Sequence, residues 1–228
     1  MAIVLMYNDH TGRMERYESG LQDSMPYNTG HTLTVGEFKG SSCSNVLWSN
    51  RAAMESWNVT RSAFGRPIPL GYAFKRIWEG GHGAQSQHYA GVSFDAGQSL
   101  TGAWRNELRD TAIRLGVWGY VEPAYLTPTW VHFDKRAPNP ACATGGYPRV
   151  LMGSKNTYVL VLQDALNALG HTTHGLDGIF GNNTRGAVLR FQADNGLIVD
   201  GIAGCQTWRR LVDRALGIGQ TDTVVYTC

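Results

Sequence analysis

No stretch of this 228-residue chain approaches the ~20 consecutive apolar residues that a membrane-spanning helix needs, so a soluble product without a membrane span is expected. The opening MAIVLMYNDH has a short apolar run but no basic lead, no sufficiently long hydrophobic region and no small-residue cleavage site, so no ordinary signal peptide is read there. The formal net charge of +2 is uninformative about nucleic acid, but basic runs, a glycine-rich phosphate cradle and RNA-type aromatic motifs are all missing, which argues against nucleic-acid binding. Cysteine is scarce. Cys43, Cys142, Cys205 and Cys228 form no C-x-x-C pair, and they could be free thiols or up to two disulfides in any of three connectivities.

The length suits one medium and one small domain, each able to bury a core. The division falls at APNPACATGGYPR, residues 137–149, dense in Pro, Gly and small residues and read as a linker between 1–136 and 150–217, with 218–228 as a tail. Chemistry concentrates before the linker. SQHYAGVSFD, Ser86 to Asp95, together with His132 in WVHFD supplies two imidazoles and one carboxylate, the ligand set of a catalytic zinc. Gly91 lies between His88 and Asp95 and gives a turn through which the chain leaves one ligand and returns as a strand carrying the other. Zinc held by three protein groups keeps a position for water, lowers the pKa of that water and polarises a carbonyl, which describes hydrolysis.

The order Ser-x-His-x-x-Gly-x-Ser-x-Asp followed by Trp-Val-His-x-Asp resembles the M15 family of zinc D-Ala-D-Ala carboxypeptidases and L,D-endopeptidases, which cut bacterial wall peptides. Glu37-Phe38 and AFGRPIPLGY, Ala63 to Tyr72, extend the resemblance over roughly residues 30 to 136. Members usually have Ala where Ser93 stands. The resemblance implies that His88, Asp95 and His132 ligate Zn2+. Many members place an acidic general base three positions before the last histidine, where this chain has Thr129, a residue that cannot take a proton at neutral pH. Glu122, in GYVEPAY, is the nearest upstream carboxylate and is expected to serve as base, with Asp134 as a carboxylate that orients His132 or supports the structure. The family's substrate-anchoring arginine is absent from the aligned run Leu70-Gly71-Tyr72-Ala73, so Arg76 is expected to take over the role, with Lys75 beside it. Glu79 and His82 flank the glycine-rich turn EGGHG, where His82 could orient substrate.

Beyond the linker, Val159, Leu162, Leu166 and Leu169 recur at spacings of three and four and define one buried helical stripe closed by Gly170. A repeat follows. Asp177-Gly-Ile-Phe-Gly181 with Thr184 returns as Asp200-Gly-Ile-Ala-Gly204 with Thr207; in each copy an Asp-Gly turn leads to a glycine that opens a helix. The helices carry Ala187, Val188 and Phe191, and then Trp208, Leu211 and Val212. The arrangement from about Val150 to Leu216 is similar to the peptidoglycan-binding domain 1 family, a three-helix wall-binding module. His171 and His174 have ligand-like spacing but read as solvated loop residues.

In the first domain the pattern predicts a helix at Asn50 to Phe64 with Asn50 as N-cap, and strands at Ile68 to Phe74, Val92 to Asp95 and Trp130 to Phe133. A further helix, Ala103 to Leu115, is expected to turn Ala103, Leu108, Ala112 and Leu115 inward and stop at Gly116. Helices outside a small antiparallel sheet make the fold α+β. The first 30 residues carry no pattern that places them. The expectation is a monomeric zinc peptidase of peptidoglycan stem peptides, held on its substrate at the cell wall or outside the cell by the C-terminal module, by an export route this chain does not display. The alternatives are a non-catalytic wall-binding protein with a degenerate zinc site, or a zinc amidase acting on peptidoglycan.

Overall fold

The computed structural model describes residues 1–142 and 145–219; Cys228 and most of the C-terminal tail lie outside them. The unplaced N-terminus forms a sheet. Strand β1 (Ala2–Asn8) is central, paired antiparallel with β2 (Arg13–Ser19) and parallel with β3 (Val46–Asn50). Its near-continuous apolar run AIVLMYN suits a strand covered on both faces, a pattern that periodicity alone cannot separate from a helix. Ala2, Val4 and Met6 are buried, and the sheet packs against α2 (Arg51–Phe64). Helix α2 starts as expected, with the Asn50 side chain accepting from the Ala53 amide at 2.7 Å, and it ends at Gly65 in the left-handed conformation. The parallel β1–β3 pairing departs from a purely antiparallel fold because the chain between β2 and β3, which carries α1 (Val35–Lys39), crosses over before β3 pairs with β1.

A second, antiparallel sheet has the order β4 (Leu70–Tyr72), β5 (Ser93–Ala96), β7 (Val131–Asp134), β6 (Tyr120–Val121). Helix α3 (Gly102–Leu115) packs on β7 and ends at left-handed Gly116. Leu108 and Ala112 face inward as expected, whereas Ala103 is exposed, because the first turn of α3 projects past the sheet. Between them Arg109 is buried and donates to the backbone carbonyls of Glu122, Thr127 and Trp130 at 3.1, 2.8 and 2.7 Å. One guanidinium therefore pins the whole loop between β6 and β7.

The C-terminal module has three helices: α4 (Thr157–Ala168), α5 (Asn182–Asp194) and α6 (Cys205–Ala215). The duplicated turns fold identically around a glutamine. Gln163 donates to Asp177, the Ile179 carbonyl and Thr184, and accepts from the amides of Asp177 and Gly178; Gln192 repeats this with Asp200, Ile202, Thr207 and Gly201. Every residue of α4 is buried, so the single stripe read from the sequence is a helix enclosed all round. The enclosure comes from the first domain. Helix α4 contacts β3 and the 3-10 turn Ile77–Glu79, and the amides of Gly217 and Gly219 donate to the carbonyls of Ile77 and Trp78.

The segment read as a linker is a packed strap. Cys142 is bonded to Cys205 at the start of α6, closing a loop worth about 4 kcal/mol of unfolded-state entropy. Tyr147 is fully buried and donates to the Ser86 carbonyl at 2.9 Å, and the Gln87 side chain donates to the Gly145 carbonyl at 2.7 Å. Tyr158 of α4 accepts from the Ala137 amide and donates to Gln87. One hydrophobic core runs through both halves.

Candidate functional site

The second sheet sets the site by register. Tyr72 pairs with Asp95 and Asp95 with His132, which places these three abreast on one face. Just past β6, the Glu122 amide donates to the His132 carbonyl at 2.9 Å, so Glu122 occupies the next place in the row. Its carboxylate makes no hydrogen bond or ion pair among the described residues and is partly exposed.

His88 arrives on the turn before β5. Gly91 has φ +67°, and a Cβ there would lie 1.9 Å from the Trp48 carbonyl oxygen, so only glycine lets the turn seat against β3. The Ser49 hydroxyl donates to the Gly91 carbonyl at 2.7 Å, and the Trp48 indole donates to the Tyr89 carbonyl at 2.8 Å, fixing both sides of the turn. His88 is buried with Nδ1 2.9 Å from the Ala73 carbonyl, which orients the ring so that Nε2 lies 3.3 Å from Asp95.

His132 is held from both sides, with Nδ1 2.7 Å from Asp95 Oδ1 and Nε2 3.1 Å from Asp134 Oδ2. Asp134 is fully buried and also accepts from the Arg136 guanidinium, through Nε at 2.7 Å. Burial disfavours the charged form of His132, yet the bonds to Asp134 and Asp95 outweigh it and push the imidazole up to about 9. Burial likewise opposes ionisation of Asp95, but the two histidines hold it well below the usual carboxylate range.

One nitrogen from each histidine and one Asp95 oxygen lie within 4.8 Å of one another, the sole such group of three among the described residues. This donor set fits a divalent cation that prefers mixed nitrogen and oxygen ligands. Each imidazole has its other nitrogen engaged, by a carbonyl or by Asp134, as metal-binding histidines require.

His82 covers the site. Its ring lies tilted with its centroid 4.3 Å from those of both Tyr72 and His88, and burial, reinforced by His88, lowers it to about 4, so it is neutral near pH 7. Thr129 is exposed on the pinned loop. The expectation for Arg76 fails: it is fully buried, donates to Ser44 at 2.9 Å and pairs at 2.5 Å with fully buried Asp164 of α4, so it joins the domains and cannot reach substrate. Glu79 is also structural, accepting from Ser42, the Cys43 amide and the Arg76 amide. Lys75 remains as a cation whose charge reaches His82. Sequence reasoning missed Arg109 and Arg136; only the position of Arg136, two residues past Asp134 in HFDKR, hinted at its role. Of the cysteine alternatives the structure selects Cys142–Cys205, and no described cysteine is free. His171 lies 3.9 Å from exposed Asp194, and no metal-binding trio forms there among the described residues.

The PG_binding_1 family of peptidoglycan binding domains matches residues 155–211, the span of both glutamine-centred turns. A domain of that family is therefore present in this chain at the C-terminal module. Peptidoglycan is thereby its partner and the protein is associated with the cell wall. An uncharacterized protein in the bpoA1 3' region of Kitasatospora aureofaciens is 38% identical over 80 residues, 33% of this chain and 68% of that protein. Among solved structures, the SleB N-terminal domain is 37% identical, the match covering 29% of this chain and 92% of that one with a TM-score of 0.29. No described helix is long and apolar enough to cross a membrane.

Proposed function

We propose that the N-terminal half is a zinc-dependent peptidase acting on the stem peptides of the peptidoglycan that the C-terminal module binds. The observation that carries this reading is the trio His88, Asp95 and His132, with both imidazoles oriented by second partners, on the same chain as a peptidoglycan-binding domain. Zinc held there would supply an activated water and a Lewis acid for the scissile carbonyl. Glu122, beside His132 and unpaired, takes the proton from the attacking water and returns it to the leaving amine. Asp134 is committed to His132 and Arg136, which leaves it to orient rather than to exchange protons. Lys75 is the cation placed to attract a substrate carboxylate in place of Arg76.

Metal analysis of the purified protein, paired with digestion of purified peptidoglycan, tests the reading. One zinc per chain and new peptide termini, both lost in His88→Ala, are expected; a protein that takes up no zinc and releases no termini when zinc is added refutes it. Fragment masses further separate free D-Ala and split stems from the intact stems an amidase would release.

A further inference from the structure

A cavity of about 590 Å³ lies away from the zinc trio, where the first sheet meets the C-terminal module. That volume is in the range of small-molecule and oligomer sites, ~300–1,000 Å³. Its floor follows from sheet register: Ile3 pairs with Val46 and Leu5 with Arg16, so these four side chains are neighbours on the face of the sheet opposite α2. The module supplies the other wall through the end of α4 and the loop after it, including Asn167, Thr172 and Leu176. The two walls are held at a fixed distance. Gly178 in the first Asp-Gly turn sits so close to β2 that a Cβ there would lie 2.8 Å from the Met14 sulfur, and the buried Arg76–Asp164 pair locks α4 to the first domain.

The polar groups at this cleft point to a ligand. The Asn167 side-chain oxygen accepts from both the amide and the hydroxyl of Thr173, at 2.7 and 3.1 Å, so its NH2 is turned away from them and has no acceptor among the described residues. Arg16 is exposed at the opposite rim, where its contact is exposed Glu18. An apolar floor, one amide donor and one cation suit a chain of methyl-bearing amides that ends in a carboxylate. Peptidoglycan stem peptides on an N-acetylated sugar have that chemistry, and half of the cleft belongs to the module whose family binds peptidoglycan.

We infer that this composite cleft is a peptidoglycan-binding site, with methyl groups of the wall fragment on Ile3, Leu5 and Val46, a peptide carbonyl on Asn167 and a carboxylate at Arg16. Wall recognition is then shared between the two halves of the chain and does not depend on the zinc centre.

The test is isothermal titration of the full chain, with chelator present to prevent turnover, using a soluble disaccharide–tetrapeptide of peptidoglycan. Asn167→Asp keeps the acceptor for Thr173 but removes the donor, Arg16→Glu reverses the rim charge, and Thr172→Trp fills the cleft from an exposed position. Each is expected to weaken binding at least ~10-fold, the size of one lost charge-assisted or well-placed contact, with unchanged thermal unfolding. The disaccharide alone and the tetrapeptide alone divide the contribution of sugar from that of peptide, and the tetrapeptide is expected to retain the dependence on Arg16. Unchanged affinity in all three folded variants, or amide shift changes confined to the module's far face, would overturn the inference.

Discussion

Arg76 and Asp164 form an ion pair with no solvent contact at either side chain, between the first domain and the central helix of the module. Arg76→Met leaves the Asp164 carboxylate buried without its partner and removes the guanidinium from its place 4.9 Å from the Trp48 ring. Breaking a buried pair from one side typically costs about 3–5 kcal/mol, far above the ~1 kcal/mol ceiling of an exposed pair. For a chain of this length that corresponds to a fall in Tm of about 6–20 °C. Because one core runs through both halves, the loss should lower the stability of both together. Replacing both partners, Arg76→Met with Asp164→Leu, removes the stranded charge and should recover most of the loss. Urea unfolding at fixed metal load, followed by tryptophan fluorescence and far-ultraviolet circular dichroism, measures each free energy. A single-variant cost below ~1 kcal/mol, or a double variant as unstable as the sum of the singles, contradicts the reasoning. If Arg76 clamped substrate instead, its loss would raise KM and leave stability alone.

Glu122→Gln should keep zinc and lose ~10²–10⁴-fold in turnover, since the amide preserves shape but accepts no proton; full activity removes Glu122 from the mechanism. Asp134→Asn should weaken zinc affinity by about 10–100-fold in a metal-buffer titration, because His132 loses the partner that orients it. Gln163→Ala and Gln192→Ala each leave buried amides and an Asp-Gly turn without their common partner and should cost at least about 1–3 kcal/mol in urea unfolding; effects near zero would make the turns self-supporting. In the metal-free protein His132 is raised from 6.5 to about 9, so its contribution to stability is complete below pH 6.5 and is lost as pH rises through 9. A Tm of chelator-treated protein that climbs across that interval contradicts the pairing with Asp95 and Asp134.

What the chain disclosed in advance was local. Residue type and spacing marked His88, Gly91, Asp95 and His132, and short-range capping chemistry marked Asn50 and Gly116, so two helix ends stood where expected and the three candidate ligands lie together. The duplicated Asp-Gly turns were equally legible because each is closed by groups within 15 to 21 residues of its glutamine. Long-range pairing was not. Strand β1 is apolar on both faces because the module covers one of them, a fact no window around residues 2–8 contains. Arg76 looked like a surface cation because its partner Asp164 stands 88 positions later. Likewise the Pro- and Gly-rich composition of residues 137–149 signals absence of regular structure, not looseness: a disulfide and buried Tyr147 fasten the segment.

The central claim is that the trio on the second sheet is a hydrolytic zinc centre for the wall to which the module binds. Mass spectrometry of purified peptidoglycan incubated with the zinc-loaded full chain addresses it most directly. Soluble fragments with newly cut stem-peptide bonds are expected, absent with chelator and absent for His88→Ala, while that variant still sediments with the wall. Stem peptides left intact by a protein that carries one zinc per chain would contradict it and leave the first domain a binding partner of the module rather than an enzyme.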